Sequence, residues 1–331
     1  MPTGIKTFVS EQVKGEIISE YLSGKSSYQI AKDYGFKCSK SVAKILRNNH
    51  IEIRSQKYSV SLKSIKFNGK EFDKILLMNA DPLISLKDIA SELRRDPKII
   101  KRKLKELNLY DPLKYDKYLI SKFDPIDSEE KAYWLGFLAA DGCISRKQLA
   151  LQLAAKDIDH LIKFKSFIGV DYKISKVTTN LDGKLFIGYR YVISSHNFVN
   201  SLAKYGLVPR KSFTLQFTDK LSNELIRHYI RGLVDGDGSF SVNKSDRLQF
   251  SLISSLEVCK EVQKHLIQNC NLNKTKLFEM CSGGGEKYYY LVYCGSAQCT
   301  RISQYLYNNS TVFLDRKRAL IEAFVKNHKY Q

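Results

Sequence analysis

The chain has 331 residues, 43% of them hydrophobic and 11% aromatic, a composition that supports folded cores and excludes a globally disordered protein. It carries 54 basic and 34 acidic residues, a formal net charge of +20. That charge indicates a polyanionic partner, and no uncharged apolar run is long enough for a membrane-spanning helix.

The seven cysteines form no CxxC pair, and the first ten residues lack the apolar core of a secretion signal. This pattern is typical of reduced thiols in an intracellular protein, whether in the cytoplasm, the nucleoid or an organelle matrix. We therefore expect no secretion, no membrane association and no small-molecule substrate, and a nucleic acid as the partner.

Residues 1–120 predict an all-α region that contains two copies of one unit. In the first copy a turn at Gly35 separates two helices, and Ser39 is expected to cap the second helix. The matching helices of the second copy begin at Ser85 and Pro97. Each copy resembles a helix-turn-helix, whose second helix enters the major groove of DNA; the alternative is a plain helical hairpin. Candidate DNA contacts on the second helices are Lys40, Lys44 and Arg47 in the first copy and Lys98, Lys101, Arg102 and Lys105 in the second.

Two stretches are expected to separate folded parts. Residues 54–70 are polar and basic, and residues 111–129 contain Pro112 and Pro125, which discourage a continuous helix. Residues 130–326 then mix helical periodicity with alternating strands.

This C-terminal part carries a repeated helix. Residues 133–142 read YWLGFLAADG, and residues 229–238, 96 positions later, read YIRGLVDGDG. Both have small residues four positions apart, so two such helices can approach almost backbone to backbone. The small residues are Gly136 and Ala140 in the first copy and Gly232 and Gly236 in the second.

Each repeated helix ends in Asp-Gly, at Asp141 and Gly142 and at Asp237 and Gly238. The glycine predicts a left-handed exit, and an aspartate at the negative end of a helix dipole is unfavourable by itself. Two such ends packed side by side bring two carboxylates together, and a divalent cation would relieve their repulsion. The pattern predicts a Mg²⁺ site on a pseudo-two-fold axis; the alternative is that each aspartate only caps its own turn.

Alternating strands follow each motif, with one apolar face for the core and a polar, basic face opposite. The apolar positions are Phe240, Val242, Leu248, Phe250 and Leu252 in the second repeat and Leu149, Leu151 and Leu153 in the first, where Ala150, Gln152 and Ala154 are expected to face outward. The polar faces and their turns can read base edges in a groove. The candidate residues are Arg146, Lys147, Gln152, Arg190, Asn243, Arg247 and Gln249.

The segments LGFLAADG (135–142) and GLVDGDG (232–238) resemble the two motifs of the LAGLIDADG homing endonucleases, and the flanking sequences agree with that family. The resemblance covers about residues 128–326. It implies an α+β protein with two pseudo-symmetric αββαββα halves that form a DNA-binding saddle, preceded by the all-α helix-turn-helix region. The predicted domains are 1–58, 59–120, 121–222 and 223–331.

The resemblance also implies activity: Mg²⁺-dependent cleavage of both strands of a long DNA target by a monomer. Two or three divalent ions would be shared between Asp141 and Asp237, with help from the carbonyl groups of Ala140 and Gly236.

Lys211 and Lys317 stand in matching Arg-Lys pairs of the two repeats. By resemblance they would lie near the cleaved phosphates, as catalytic groups or as simple phosphate clamps. The first motif has Ala139 where the family often has an acid, whereas the second keeps Asp235, so the two halves need not cut at equal rates. The six histidines show no ligand spacing.

Three alternatives stay open. A DNA-binding transcription regulator on the same scaffold would be indicated by loss of an essential aspartate, and both are present. An RNA maturase fits the charge but not the helix-turn-helix units, because the major groove of A-form RNA is closed to helices. An intein-embedded domain is disfavoured by the first residue, Met1, and the last, Gln331, so we expect a free-standing protein.

Overall fold

The computed structural model describes residues 9–23, 25–53, 67–181 and 183–328. The chain divides into two compact units, Met1–Pro112 and Leu113–Gln331. The predicted boundary at residue 58 and most of the basic stretch 54–70 lie outside the described residues. Within the described part, every helix is too short or too polar to cross a membrane.

The first unit contains two groups of three helices, each around its own core. Ile30 and Leu46 are completely buried in the first core, and Ile89 and Leu104 in the second. The apolar residues recur at helical spacing, so each helix turns one stripe inward. The helices are α1 (Glu11–Leu22), α2 (Ser27–Asp33), α3 (Ser39–Asn48), α4 (Gly69–Ala80), α5 (Leu86–Glu92) and α6 (Pro97–Glu106).

The turns after α2 and α5 have the same geometry. Gly35 follows α2 with a φ of +71°, and Arg94 occupies the equivalent place after α5 with a φ of +50°. In each turn the following amide donates to a carbonyl of the preceding helix, at 2.7 Å to Ala31 O and 2.8 Å to Ala90 O. The predicted cap at Ser39 is wrong: α3 already begins there, so its hydroxyl lies inside the helix rather than before it.

This equivalence predicts opposite effects of two substitutions. Gly35→Ala places a Cβ in the left-handed region and should destabilise its turn by about 1 kcal/mol, whereas Arg94→Gly relieves the same strain and should stabilise its turn by up to about 1 kcal/mol. Hydrogen exchange at the two turn amides measures both changes in the full chain. Slower exchange in the Gly35→Ala protein would contradict the assignment.

The second unit repeats the order αββαββα. The helix α7 (Lys114–Ser121) precedes the repeats and α14 (Asp315–His328) follows them. The first repeat comprises α8 (Glu129–Asp141), β1 (Gly142–Ile144), β2 (Gln148–Ala154), α9 (Ile158–Ile168), β3 (Ser175–Leu181), β4 (Lys184–Ser194) and α10 (His196–Leu202). The second comprises α11 (Asn223–Asp237), β5 (Gly238–Val242), β6 (Leu248–Ser254), α12 (Leu256–Cys270), β7 (Phe278–Cys281), β8 (Lys287–Cys294) and α13 (Ser296–Tyr307).

Each repeat forms one antiparallel four-stranded sheet, with strand orders β1-β2-β4-β3 and β5-β6-β8-β7. The inward face of each sheet packs against helices, and a single core joins both repeats. Tyr191 and Ile193 line this core from the first sheet, and Phe250 and Leu252 from the second. The predicted α+β fold with two αββαββα halves is therefore confirmed.

The stretch predicted as a linker, residues 111–129, is instead partly helical. It contains α7, and Leu119 and Phe123 are buried in the core of the second unit. Pro112 stands before the helix, where it does not interrupt the hydrogen bonds, so the two prolines did not exclude a helix between them.

Two strand residues depart from the predicted alternation of buried and exposed side chains. Val242 is 41% exposed, and it is the last residue of β5. Ala150 is buried although it faces away from the core, because it lies in the central strand β2 between Cys143 of β1 and Val192 of β4.

Candidate functional site

The motif helices α8 and α11 pack through their glycines. A Cβ placed on Gly136 would lie 2.0 Å from the carbonyl oxygen of Tyr229, and one on Gly232 would lie 2.1 Å from the carbonyl oxygen of Tyr133. Real Cβ atoms do not approach backbone so closely, so only glycine permits this contact. The structure thus brings the predicted interface residues together, including Ala140, whose Cβ would lie 2.3 Å from a Cβ on Gly236.

This packing brings the C-terminal ends of both helices to one place. Asp141 ends α8 and Asp237 ends α11, and both residues keep solvent exposure. A Cβ on Gly236 would lie 3.4 Å from Oδ2 of Asp141, so the first carboxylate reaches the end of the second helix.

The two carboxylates influence each other. Burial by the surrounding protein, together with the charge of Asp141, raises the pKa of Asp237 to about 7. Burial also raises the pKa of Asp141. A cation bound between them would stabilise both charged forms.

The glycines that follow these helices were expected to be left-handed, and that expectation is wrong. Gly142 has φ −68° and Gly238 has φ −95°, so neither takes the left-handed conformation. Glycine is required here by close approach instead: a Cβ would lie 2.4 Å from the carbonyl oxygen of Leu138 and 2.7 Å from that of Val234. Each chain therefore passes directly from motif helix to first strand, with no room for a side chain.

The donor set at this place fits Mg²⁺ with open coordination positions. Among the described residues, three or more His, Cys, Asp or Glu side chains nowhere form a group that could enclose a metal. Mg²⁺ is commonly held by one or two carboxylates, with waters and substrate phosphates as the remaining ligands. Asp141 and Asp237 supply that number of carboxylates at an accessible edge.

The two predicted lysines lie buried beneath the aspartates. Lys211 Nζ donates to the carbonyl oxygen of Ala140 at 3.2 Å. Lys317 Nζ donates to the carbonyl oxygens of Val234, Asp235 and Gly238 at 2.6, 2.8 and 2.5 Å. Both ammonium groups therefore cap the negative end of a motif helix, a role that the sequence did not indicate.

Burial disfavours the charged form of both lysines. It lowers the pKa of Lys211, and it lowers the pKa of Lys317 to about 8. The charges of Asp141 and Asp237 oppose this effect. The carbonyl of Ala140, a predicted metal ligand, already accepts from Lys211, although an oxygen has a second lone pair for another partner.

Sequence reasoning missed the role of Asp235, which lies inside the core of the second unit. Its carboxylate accepts from Tyr133 Oη at 2.8 Å, Tyr307 Oη at 2.6 Å and Leu314 N at 2.8 Å. Burial raises the pKa of Asp235, and these hydrogen bonds oppose the increase. The carboxylate ties both repeats and the segment before α14 to one point. Ala139, equally buried, stands at the matching position of α8.

We expect Asp235→Ala to lower the free energy of unfolding by about 3 kcal/mol, because the buried Tyr307 Oη and Leu314 N lose their acceptor and Tyr133 Oη is left with His160 Nε2 at 2.9 Å. Asp235→Asn keeps one acceptor oxygen and should lose about 1 kcal/mol. Urea unfolding followed by fluorescence of Trp134, the single tryptophan, measures both values. Equal stability of Asp235→Ala and the parent would show that the network is energetically neutral.

A second buried charge joins the helix ends opposite the aspartates. Arg231 is completely buried and donates to Glu129 Oε1 at 2.7 Å and to the carbonyl oxygens of Leu306 and Val312. Its Nη1 also lies 2.8 Å from Nδ1 of His228. His228 thus takes part in this buried network, and burial lowers its pKa to about 4.

The predicted base-reading residues of the first sheet lie on the face away from the helices or at its turn. Gln152 stands directly opposite Arg190 in the β2–β4 pair. The Nε atom of Arg190 is buried and has no hydrogen-bond partner among the described residues. Arg146 and Lys147 are exposed at the β1–β2 turn.

In the second sheet the predicted residues have mixed roles. Gln249 lies on the outer face, with Nε2 3.6 Å from Sγ of Cys294. Asn243 Oδ1 accepts from the amides of Ser245 and Arg247 at 2.9 and 3.0 Å, so it shapes the β5–β6 turn. The Arg247 side chain is exposed beside it.

The candidate contacts of the N-terminal unit are all exposed on α3 and α6. They are Lys40, Lys44, Arg47, Lys98, Lys101, Arg102 and Lys105. Lys101 and Lys105 lie over the ring of Tyr110, at 5.1 and 5.8 Å from its centroid, which holds both cations near one end of α6.

Residues 224–306 match the family model of the LAGLIDADG-like domain. The match runs from α11 to α13 and so coincides with the second αββαββα repeat. The chain therefore contains a LAGLIDADG-like domain, and the resemblance found in its motifs is confirmed. No curated protein matches the chain.

Several solved structures are similar to the chain at low identity. The meganuclease I-SmaMI bound to uncleaveable DNA is 16% identical, with a TM-score of 0.37, 60% of this chain covered and 90% of that one. The homing endonuclease I-WcaI bound to its DNA recognition sequence is 16% identical, with a TM-score of 0.42 and coverage of 64% and 96%. Full-length WhiA from Thermatoga maritima is 15% identical, with a TM-score of 0.38 and coverage of 65% and 66%.

Proposed function

We propose that the chain is a site-specific homing endonuclease that makes a Mg²⁺-dependent double-strand break in a long DNA target. The observation that carries this proposal is the pair Asp141 and Asp237, held at the ends of two glycine-packed helices between two sheets. Each carboxylate serves one strand of the duplex, as the pseudo-symmetry of the repeats suggests.

The two aspartates and the two lysines have different roles in the proposed cleavage. Asp141 and Asp237 would hold the two or three divalent ions, and the carboxylates would thereby orient the scissile phosphates. When bound there, Mg²⁺ would polarise these phosphates, lower the pKa of the attacking waters and stabilise the leaving oxygens. Lys211 and Lys317 fix the helix ends that carry the carboxylates, and their positive charges add to the potential that attracts the phosphates.

The two strands need not be cut at the same rate. Among the described residues, Lys317 makes three hydrogen bonds and Lys211 makes one. Asp235 has no counterpart in the first repeat, where Ala139 stands. We infer that the site around Asp237 is the more rigid of the two.

A randomised duplex library incubated with the chain and Mg²⁺, followed by sequencing of the cut ends, tests the proposal. We expect one enriched long target, cut on both strands, and no cutting in EDTA. Binding of a specific duplex without cleavage in any divalent metal would favour the DNA-binding regulator instead, and selective binding of structured RNA would favour the maturase.

We further propose that the complex contains one chain per duplex, because both motif helices are in the same chain and already fill the pseudo-two-fold interface. Light scattering of the complex gives the stoichiometry. An obligate dimer in the active complex would count against this arrangement.

We also propose that the N-terminal unit extends the DNA contact through α3 and α6. A chain that begins at Leu113 should keep the cleavage site but bind its target more weakly, because it lacks the exposed cations of those helices. The slope of log affinity against log salt should fall by at least about 2, the loss of two or three phosphate contacts.

Footprinting of the full and the shortened chain on the selected target checks this prediction. The protected region should shorten on one side only. If both chains protect the same length, the N-terminal unit is not a DNA-reading arm, and a protein partner becomes the better explanation.

A further inference from the structure

Equivalent rows of side chains cross the two sheets on the face away from the helices. Gly142 pairs with Leu151 and Gly238 pairs with Leu252, so the residues that follow, Gln152 and Ile253, are equivalent. Each row continues through the next two strands by direct pairing. The rows are Gln152, Arg190 and Ser175 in the first sheet and Ile253, Tyr290 and Phe278 in the second.

The two rows differ in polarity. The first row is polar, and it contains the Arg190 Nε that has no hydrogen-bond partner among the described residues. The second row is apolar and accessible, with Phe278 50% exposed, and the next pair outward, Met280 and Tyr288, continues it with Met280 47% exposed. An accessible apolar surface of this kind on one half only indicates that the two halves recognise different chemistry.

The apolar row belongs to the surface that faces the proposed duplex. It lies on the same sheet face as Ser251 and Gln249, because residues two apart in β6 share a face. The exposed Lys276 places its Nζ 6.0 Å from the centre of the Phe278 ring, so a positive charge lies beside the patch. An apolar surface with a cation at its border suits DNA bases between phosphates better than it suits an apolar protein partner.

On the basis of the proposed function, we propose that the row Ile253–Tyr290–Phe278, with Met280 and Tyr288, reads the C5 methyl groups of thymines. Thymine is the base that presents an apolar group in the major groove, whereas arginine and glutamine recognise the polar edges of guanine and adenine. The half-site bound by the second repeat is therefore thymine-rich under β7 and β8. The equivalent place in the other half-site carries a purine read by Gln152 and Arg190, so the target is not a palindrome.

Deoxyuridine in place of thymidine tests this proposal, because it removes only the methyl group. The full chain is titrated with the target selected from the library, with uridine placed at each thymine of both half-sites in turn. We expect affinity to fall about fourfold for each contacted thymine in the second half-site, the effect of losing the burial of one methyl group. Replacement of a thymine that pairs with a purine under Gln152 and Arg190 should leave affinity unchanged.

Two variants assign the effect to the row. Phe278→Ser and Met280→Ser should bring the thymine-to-uracil affinity ratio from about four to about one. Both side chains are about half exposed, so the fold should tolerate the change. Glu279→Gln is the matched control, because Glu279 lies between them on the opposite face of β7, next to Tyr289 Oη, and it should keep the ratio of the parent.

The outcomes separate this inference from the proposed function. If the chain binds a selected duplex but uridine changes nothing in either half-site, the methyl assignment fails and the endonuclease proposal stands. If the ratio changes equally in the Glu279→Gln protein, the row is not the reader. If no duplex is bound at all, both proposals fail, and the patch must serve a different ligand.

Discussion

Asp237→Asn is expected to lower the rate of double-strand cleavage by about 10²- to 10³-fold, because a neutral amide is a weaker ligand for the Mg²⁺ that would stabilise charge at the scissile phosphates. Asp141→Asn should have the same effect, since the carboxylates are shared across the interface of α8 and α11. Affinity for duplex DNA in EDTA should stay within about threefold of the parent or increase, because each change removes a negative charge that faces the phosphates.

The measurement separates nicked from linear plasmid that carries the selected target, in Mg²⁺ and in EDTA. Asp219→Asn is the matched control, because Asp219 is an exposed carboxylate whose ion pair, among the described residues, is with a neighbouring surface lysine, Lys220. This protein should cleave like the parent. Full linearisation by Asp237→Asn or Asp141→Asn in Mg²⁺ would remove both aspartates from the active site and with them the proposed mechanism.

Gly232→Ala is expected to destabilise the second unit by about 3 kcal/mol or more, a large fraction of the stability of a typical domain. The new Cβ would lie 2.1 Å from the carbonyl oxygen of Tyr133 and 2.6 Å from the amide nitrogen of Phe137. Both are backbone atoms that cannot rotate away, so the helices must separate. Gly136→Ala meets the carbonyl oxygen of Tyr229 at 2.0 Å and should behave alike.

Gly15→Ala is the control for this second prediction, because it makes the same change inside α1, where no described atom lies within 4 Å of the new Cβ. There the higher helix propensity of alanine should stabilise the helix by up to about 1 kcal/mol. Urea unfolding followed by circular dichroism reports on both units, and the fluorescence of Trp134 reports on the second. If Gly232→Ala unfolds at the same urea concentration as the parent, the helices do not pack as closely as described.

Several features of the site could be predicted because they depend on spacing along the chain. Small residues four apart define one face of a helix, and a motif found twice implies that the two faces meet. The Asp-Gly ends follow directly from the same repeats. Strand alternation likewise predicted which face of each sheet is polar, apart from Ala150, which lies between two neighbouring strands, and Val242, which is the last residue of β5.

Other features depend on contacts between residues far apart in sequence. The spacing of the repeats predicts Lys211 and Lys317 as a matched pair. It does not predict that they donate to the carbonyls at the ends of α8 and α11. Asp235 belonged to a motif, yet its partners Tyr133 and Tyr307 stand 102 and 72 residues away. The helix α7 went unpredicted because prolines near both of its ends outweighed the short apolar spacing of its own sequence.

The sequence by itself determined the class of this protein. Two copies of one motif, with small residues four apart and a terminal Asp-Gly, already specify the close packing of two helices and the pairing of two carboxylates. The tertiary structure alone decided how the halves differ. Strand pairing places Gln152 beside Arg190 in one sheet and Ile253 beside Tyr290 in the other. One motif helix, α11, carries a buried carboxylate where α8 has Ala139. Registers and buried hydrogen bonds join residues distant in the chain, and no periodicity in a single segment encodes which of them will meet.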